Sequence, residues 1–363
     1  MNIIDTIKRF FLKFRGYISE NNDGLIPEKQ PKKGWVFGNV IKILNKLKDW
    51  IPLLPIDELQ KKFGLETMNC VPNSGSNVCD MIMNHKIENN LISKDNLEWL
   101  KDPLGNGTCS YIVDGKFNSN ERVLGKLSFT SHNGNTGSRL FGAMKNYGLV
   151  PESAWPWTDS NINTWEEYFA TIPQWIKNLG YEFKRRFPIR YYIVHRADFG
   201  EALQESPLQV YVDGRYNIRG GVLQYSSRMS THAVALVKED EKYYYIYDSY
   251  EPFIKKVVKN YPFYTGQNMY NGQKYSYGYK VNILENIIKK KMIKTIKQKN
   301  QKEVYAIDLE AGTLNSFGGW GSYKKFLDAK WCEPFLEVEE KYAYLRQAYG
   351  KGFVKGSEVG IIK

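Results

Sequence analysis

Apolar residues recur at helical spacing twice near the start of the chain. Residues 2–16 place Ile3, Ile4, Ile7, Phe10, Phe11 and Phe14 on one helical face, with Lys8, Arg9, Lys13 and Arg15 on the remainder. Residues 39–50 repeat the pattern with Val40, Ile41, Leu44 and Leu47, until Pro52 and Pro55 break it. Between them, residues 19–34 are rich in Asn, Asp, Gly, Pro and Lys and predict a linker. From 70 to 100 the pattern is helical again. One helix starts at Cys70, with Val78, Met81 and Ile82 at helical spacing, and a shorter one follows at about 93–101. Residues 102–138 carry many Gly, Asn and Ser and predict loops. A helix is expected at about 138–147, and residues 164–187 predict a long amphipathic helical stretch dented by Pro173.

Beyond residue 188 the character changes. Residues 190–194, 208–212, 232–238 and 242–247 are short β-branched and aromatic runs bounded by Gly, Asp or Ser, which is strand chemistry. Glu239-Asp240-Glu241 predicts the turn of a hairpin between the last two runs. Helices first and an antiparallel sheet second make an α+β chain. The lysine-rich residues 284–302 predict a basic helical connector. A small C-terminal α/β unit follows over 303–363, with a strand at 304–308 and helices near 324–329 and 338–348, the latter stopped by Gly350. The expected organisation is therefore an N-terminal extension (1–50), a main domain (51–283), a connector (284–302) and an accessory unit (303–363).

Composition narrows the function classes. The 363 residues, rich in aromatics, suffice for a sizeable core. The formal charge of +12 comes from lysines spread along the chain, so no dedicated nucleic-acid site is predicted. Cys70, Cys79, Cys109 and Cys332 lie at unrelated spacings, without a CxxC pair or Cys/His cluster. Free thiols made in a reducing cytoplasm are expected, with no metal and no cofactor. No stretch approaches the roughly 18–20 apolar residues of a membrane span. The N-terminus interleaves charges with apolar residues and lacks a small-residue cleavage site, so it fits a signal peptide poorly. Its amphipathic helices offer a face for a partner, an assembly or a membrane surface, or pack on their own domain. The segment before Trp50 is short for a removable propeptide, and Trp35-Val36-Phe37-Gly38 has the look of a buried anchor, which favours an integral extension.

The candidate chemistry lies in three places. Cys70 stands where a loop gives way to a helix, and the positive end of the helix dipole there favours a thiolate. Pro72 fits, because a first-turn proline lacks only an N–H that has no intrahelical partner. By itself such a cysteine is an ordinary small buried residue. His232 opens one predicted strand and Asp248 ends the next, so on neighbouring antiparallel strands a carboxylate could orient the imidazole. Thiolate, histidine and orienting Asp are the parts of nucleophilic acyl transfer.

These residues carry a family likeness. Leu54-Pro55-Ile56-Asp57-Glu58-Leu59-Gln60, Thr67-Met68-Asn69-Cys70-Val71-Pro72-Asn73-Ser74, Gly148-Leu149-Val150-Pro151-Glu152-Ser153 and Pro207-Leu208-Gln209-Val210 stand in order before Thr231-His232-Ala233-Val234 and Asp248-Ser249-Tyr250. This set resembles the papain-like cysteine peptidases, in the divergent type found in bacteriophages and related viruses. The likeness covers roughly residues 50–255. It implies a two-lobed fold over 51–283, with a helical left lobe and an antiparallel, β-barrel-like right lobe. It implies that Cys70 is the nucleophile, His232 the base, Asp248 the residue that fixes the ring, and Tyr250 a shield over that contact. Gln60 becomes the oxyanion donor together with the Cys70 backbone N–H, with Asn69 as a rival donor. Gly134, Asn135 and Thr136 become the strip lining the substrate cleft. The implied partner is a peptide or protein substrate, with virion or assembly partners for the N-terminal helices and C-terminal unit, and the virion as one destination.

The chain departs from the family pattern. Gly64 stands where the family's Gln is usual, so Gln60 requires an insertion, and Val71 replaces the Trp that follows the Cys. Asp248 and Tyr250 stand where Asn and Trp are usual, and the family disulfide near the Cys is missing. The His and Asp lie slightly beyond the roughly 130–150 residues that separate papain's own Cys from its partners. Two other classes use the same parts: a structural virion protein on this scaffold, and another acyl-transfer enzyme such as a cell-wall amidase or transglutaminase-like enzyme.

Overall fold

The helix that begins at the candidate cysteine, α1 (Cys70–Glu88), is buried along nearly its whole first four turns, from Cys70 to Ser76 and from Val78 to Asn84. Its polar residues are accommodated because each finds a partner. Asn84 donates to Leu53 O (3.0 Å) and accepts from Phe117 N (2.6 Å), and the Asp80 carboxylate accepts from Ser119 Oγ (2.6 Å). Burial on all sides, with the polar groups satisfied, gives a helix without a clean amphipathic stripe. The computed structural model describes residues 25–26, 49–158, 162–267 and 272–286, and the backbone of five strands between 293 and 361. The chain divides into two units at Ile287 and Ile288.

Around α1 lie α2 (Lys94–Lys101), α3 (Glu121–Leu127), α4 (Gly137–Tyr147), α5 (Trp165–Tyr168) and α6 (Gln174–Arg186), with α7 (Phe199–Leu203) between strands. Helix α3 falls inside the region expected to be loops. Asn120 caps it by accepting from Val123 N, and Gly125 within it weakens the helical signal in the sequence. That glycine is required by packing: a Cβ there would stand 2.4 Å from Asn69 Oδ1. The long stretch expected at 164–187 is two helices. Thr164 and Glu167 form a capping box at α5, and Pro173 is the N-cap residue of α6.

The strands of the first unit's large sheet are β1 (Ile189–His195), β2 (Leu208–Val212), β3 (Ile218–Arg219), β4 (Val222–Leu223), β5 (His232–Glu239), β6 (Tyr243–Tyr247), β7 (Ile254–Val258), β8 (Tyr264–Gln267) and β9 (Lys274–Ile283). They form one sheet in the order β8-β9-β2-β5-β6-β7-β4-β3, with β1 also paired to β9. The pairs are antiparallel except β7 with β4. The path is open, so the barrel-like closure expected of the right lobe does not form: β3 ends one edge with two residues and, among the described residues, no further partner strand. The β5–β6 hairpin turns where expected, with Asp240 N bonded to Tyr243 O.

Helices and sheet share one apolar core. Val71, Val78, Phe141 and Met144 from the helices belong to the same cluster as Val210, Val234, Leu236 and Tyr279 from the sheet. Gly75 lets α1 and α4 pack closely, since a Cβ on it would lie 2.3 Å from Leu140 Cδ2 of α4. Trp50 closes the core from outside, donating from Nε1 to Leu203 O at 2.8 Å.

The expected helices at 2–16, 324–329 and 338–348 lie outside the described residues, as does Trp35-Val36-Phe37-Gly38. Of the one at 39–50, only Asp49 and Trp50 are described, and they are not helical: Asp49 bridges Lys238 and Trp50 N bonds Val237 O. The second unit holds β10 (Ile293–Lys297), β11 (Val304–Asp308), β12 (Thr313–Ser316), β13 (Phe353–Lys355) and β14 (Gly360–Ile361), in the order β13-β12-β11-β10-β14. The helical connector expected over 284–302 is corrected by β10. Ile293, Thr295 and Ile296 bring β-branched character to the middle of the lysine run, and Ile293–Lys297 pair with β11 in unbroken register.

Candidate active site

Cys70 is the first residue of α1, and the turn that delivers it is built by its predecessors. Met68 adopts φ 53°, a left-handed conformation, and its N–H donates to Glu66 Oε1 at 3.0 Å. Asn69, the N-cap residue, offers no side-chain cap. Its Nδ2 instead donates to Glu121 O (3.2 Å) and Tyr168 Oη (3.1 Å), so the rival oxyanion donor has its amide hydrogens directed into α3 and α5. Behind Cys70, Ser74 Oγ donates to Cys70 O at 2.7 Å.

Helix α1 packs on β5, whose first residue is His232. Both Cys70 and His232 are wholly buried. A strut sets the distance between them. From β2, Gln209 Nε2 donates to Val71 O and to Ser74 Oγ, both at 2.8 Å, while Gln209 Oε1 accepts from Tyr211 Oη at 3.1 Å. Strand β2 pairs with β5 through Val212 and His232, so the first turn of α1 is tied to the strand beside the histidine.

His232 Nε2 lies 2.6 Å from Asp248 Oδ1, immediately past the end of β6. Its Nδ1 is buried with no hydrogen-bond partner of ordinary geometry, and the Cys70 thiol acts on the same ring. Burial disfavours the imidazolium, but the Asp248 carboxylate and then Cys70 outweigh it, so the His232 pKa rises well above the usual histidine value. Burial would push Asp248 up. The His232 charge and then Lys255 outweigh that too, and hold its carboxyl well below the usual range.

Asp248 Oδ2 accepts from Lys255 Nζ at 2.7 Å and from the Tyr216 hydroxyl. The Tyr250 ring centroid stands 5.4 Å from that of the imidazole, with the two planes tilted by 42°. Tyr250 Oη donates to Glu66 Oε2 at 2.6 Å. The sequence assigned no role to Lys255, Tyr216, Glu66 or Gln209, and Ile254-Lys255-Lys256-Val257-Val258 carries no alternation that marks Lys255 as an inward position.

Gln60 is buried beside this group. Its Nε2 donates to Glu66 Oε1 (2.6 Å) and its Oε1 accepts from Ser249 Oγ (3.1 Å), so Glu66 and the residue after Asp248 orient the amide. The loop at 61–66 is a tight two-stranded turn, Lys61–Lys62 with Leu65–Glu66, which brings Glu66 alongside Gln60.

The strip Gly134, Asn135 and Thr136 is built for its own conformation. Gly134 (φ 91°) closes a turn with Ser131, Asn135 Nδ2 donates to Ser128 Oγ (2.6 Å) and Thr130 Oγ1 (2.9 Å), and Thr136 caps α4. All three residues are buried, and the Asn135 carbonyl is engaged by another segment of the chain. Ile26 N donates to Asn135 O at 2.6 Å, and Leu25 N donates to Thr231 O, next to His232, at 3.2 Å. Leu25 runs parallel to Asn135 and is buried.

Among the described residues, Glu58, Glu121 and Glu152 form a group of three carboxylates within 4.8 Å. Burial and the charge of Glu121 push both Glu58 and Glu152 well above the usual carboxylate range. Bound protons can therefore neutralise this group.

No family model matches the chain, and no curated protein matches it. Among solved structures, it is similar to proCathepsin B S9 from Trypanosoma congolense at 10% identity and a TM-score of 0.39, over 78% of this chain and 99% of that one. That likeness is too remote to carry an assignment, and the chemistry of the site alone points to a function.

Proposed function

We propose that the chain is a papain-like cysteine peptidase that hydrolyses peptide bonds through Cys70, His232 and Asp248. The single observation behind this reading is the buried convergence of a helix-start cysteine with an imidazole held at 2.6 Å by a carboxylate. His232 takes the Cys70 proton, and the thiolate adds to the substrate carbonyl. The Cys70 N–H, at the positive end of α1, receives the oxyanion, with Gln60 as the second donor once Glu66 yields it. The imidazolium then gives its proton to the departing amine. Water, deprotonated by the same imidazole, hydrolyses the thioester. Asp248 holds the ring throughout and Tyr250 covers that hydrogen bond.

A peptide strand has a place to lie. The carbonyl of Thr231, the residue before His232, and that of Asn135 accept from the chain's own Leu25 and Ile26. Substrate must displace that segment. The bacteriophage or viral type and a place in the virion rest on the sequence resemblance alone.

The test is a thiol-reactive epoxide probe applied to wild type and Cys70→Ala, alongside a panel of peptide substrates. Labelling and hydrolysis that vanish together in Cys70→Ala support the peptidase. Equal labelling of both proteins with no hydrolysis removes it and leaves a structural role on this scaffold. Incorporation of an amine, or cleavage of peptidoglycan, in place of peptide hydrolysis moves the assignment to another acyl transferase.

A further inference from the structure

Strand β7 reads Ile-Lys-Lys-Val-Val, and its register turns the first lysine inward. Lys255 pairs with Ile246 of β6, and its side chain is 4% exposed. A lysine is almost never buried so completely without a paired charge, because desolvating the ammonium costs several kcal/mol. Here the partner is Asp248 at 2.7 Å, and the ammonium also donates to Tyr250 O at 2.6 Å and lies 5.1 Å from the Tyr216 ring. Two cations, Lys255 and a protonated His232, thus share one carboxylate, each on its own oxygen.

Counting charges shows what the lysine does. A Cys70 thiolate with a His232 imidazolium is neutral as a pair. Adding a lone Asp248 carboxylate would leave a net negative charge in a buried site and would hold the imidazolium proton too firmly for it to be passed on. Lys255 cancels that charge. We propose that Lys255 is a positioning residue for the catalytic histidine: it neutralises Asp248, so that the Asp248–Lys255 pair presents His232 with a fixed hydrogen-bond acceptor that carries no net charge. The pair thereby does, with two charged side chains, what one neutral amide would do in the same place.

The titratable groups around this unit are few. Cys70 faces the imidazole from α1, Tyr216 and Lys255 meet the carboxylate from the segment after β2 and from β7, and the Tyr250 ring stands near the imidazole with its hydroxyl bonded to Glu66. Removing the Lys255 charge therefore leaves Asp248 facing His232 without a competing cation.

This inference rests on the thiolate–imidazolium reading, and the experiment separates the two. The imidazole resonances of His232, assigned by their loss in His232→Ala, are followed against pH in the full-length protein. Lys255→Met is expected to move the His232 midpoint up by about one pH unit, a tenfold change in the protonation ratio. Lys255→Arg, which keeps the charge, should restore it, and Asp248→Asn combined with Lys255→Met should bring it back down, because that pair is neutral again. If Lys255→Met does not fold, Lys255→Arg and the neutral double variant still decide the matter: both must titrate close to wild type. An unmoved midpoint in Lys255→Met, or a double variant that stays high, overturns the role of Lys255. A wild-type His232 that titrates as an ordinary histidine, indifferent to Cys70→Ala, overturns the ion pair itself.

Discussion

Gln209→Leu probes how the nucleophile is held opposite its base. The substitution keeps the approximate volume and removes all three hydrogen bonds of the amide: to Val71 O and Ser74 Oγ at 2.8 Å, and from Tyr211 Oη at 3.1 Å. All the groups involved are buried. A buried hydrogen bond contributes about 1 kcal/mol net, so the loss begins near 3 kcal/mol. Two of the former partners keep other contacts: Ser74 Oγ still donates to Cys70 O, and Val71 O still lies 3.2 Å from the same hydroxyl. The total is therefore about 3 kcal/mol. For a unit of this size each kcal/mol moves the melting temperature by roughly 2–4 °C, so a fall on the order of 10 °C is expected in a thermal melt. The melt is paired with the rate of Cys70 labelling by the epoxide probe. With α1 freed from β2, labelling that depends on His232 should fall well below wild type under conditions where the variant remains folded. A melting temperature within about 2 °C of wild type, with unchanged labelling, would refute the strut.

Further predictions concern charge and access. His232→Ala should abolish the fast reaction of Cys70 with the probe near neutral pH while leaving a slow alkaline reaction; an unchanged rate would mean that no ion pair forms. Removing residues 1–30 deletes the bonds of Leu25 and Ile26 to Thr231 and Asn135, so Cys70 should label several-fold faster. An unchanged rate would show that the segment does not limit access. Glu58 has its folded pKa raised, by burial first and then by Glu121, above its unfolded value. Its contribution to stability is present below the unfolded value, near 4.3, and is lost as pH rises through the folded value. Glu58→Gln mimics the protonated form and keeps the oxygen that accepts from Asn118, so it should melt progressively higher than wild type as pH rises from about 5 to 8. A difference independent of pH would exclude the linkage.

Much of the fold was legible in local patterns. The helix at Cys70, the strand at Leu208–Val212 and the hairpin around Glu239-Asp240-Glu241 follow from periodicity, β-branched content and turn residues, which act over a few neighbours. Strand β9 was missed although Tyr275, Tyr277, Tyr279, Val281 and Ile283 alternate, because Gly278 and the polar positions interrupt its β-forming run. Helix α3 was not legible, because Gly125 is there for the sake of Asn69, more than fifty residues away. The lysine run at 284–302 misled for a related reason: charge density speaks to solvation, whereas β10 owes its form to pairing with β11.

The sequence by itself determined which residues could do chemistry: a cysteine at a helix start, a histidine opening one strand and an aspartate closing the next. Only the tertiary structure decided how they are held. The register of β6 against β7 chose Lys255 over Lys256 as the buried counter-ion, and the turn at 61–66 brought Glu66 to both Gln60 and Tyr250. Side-chain type and spacing fix what a short segment can form. The partners that fix charge and orientation come from distant strands and loops, through burial and register that no local pattern encodes.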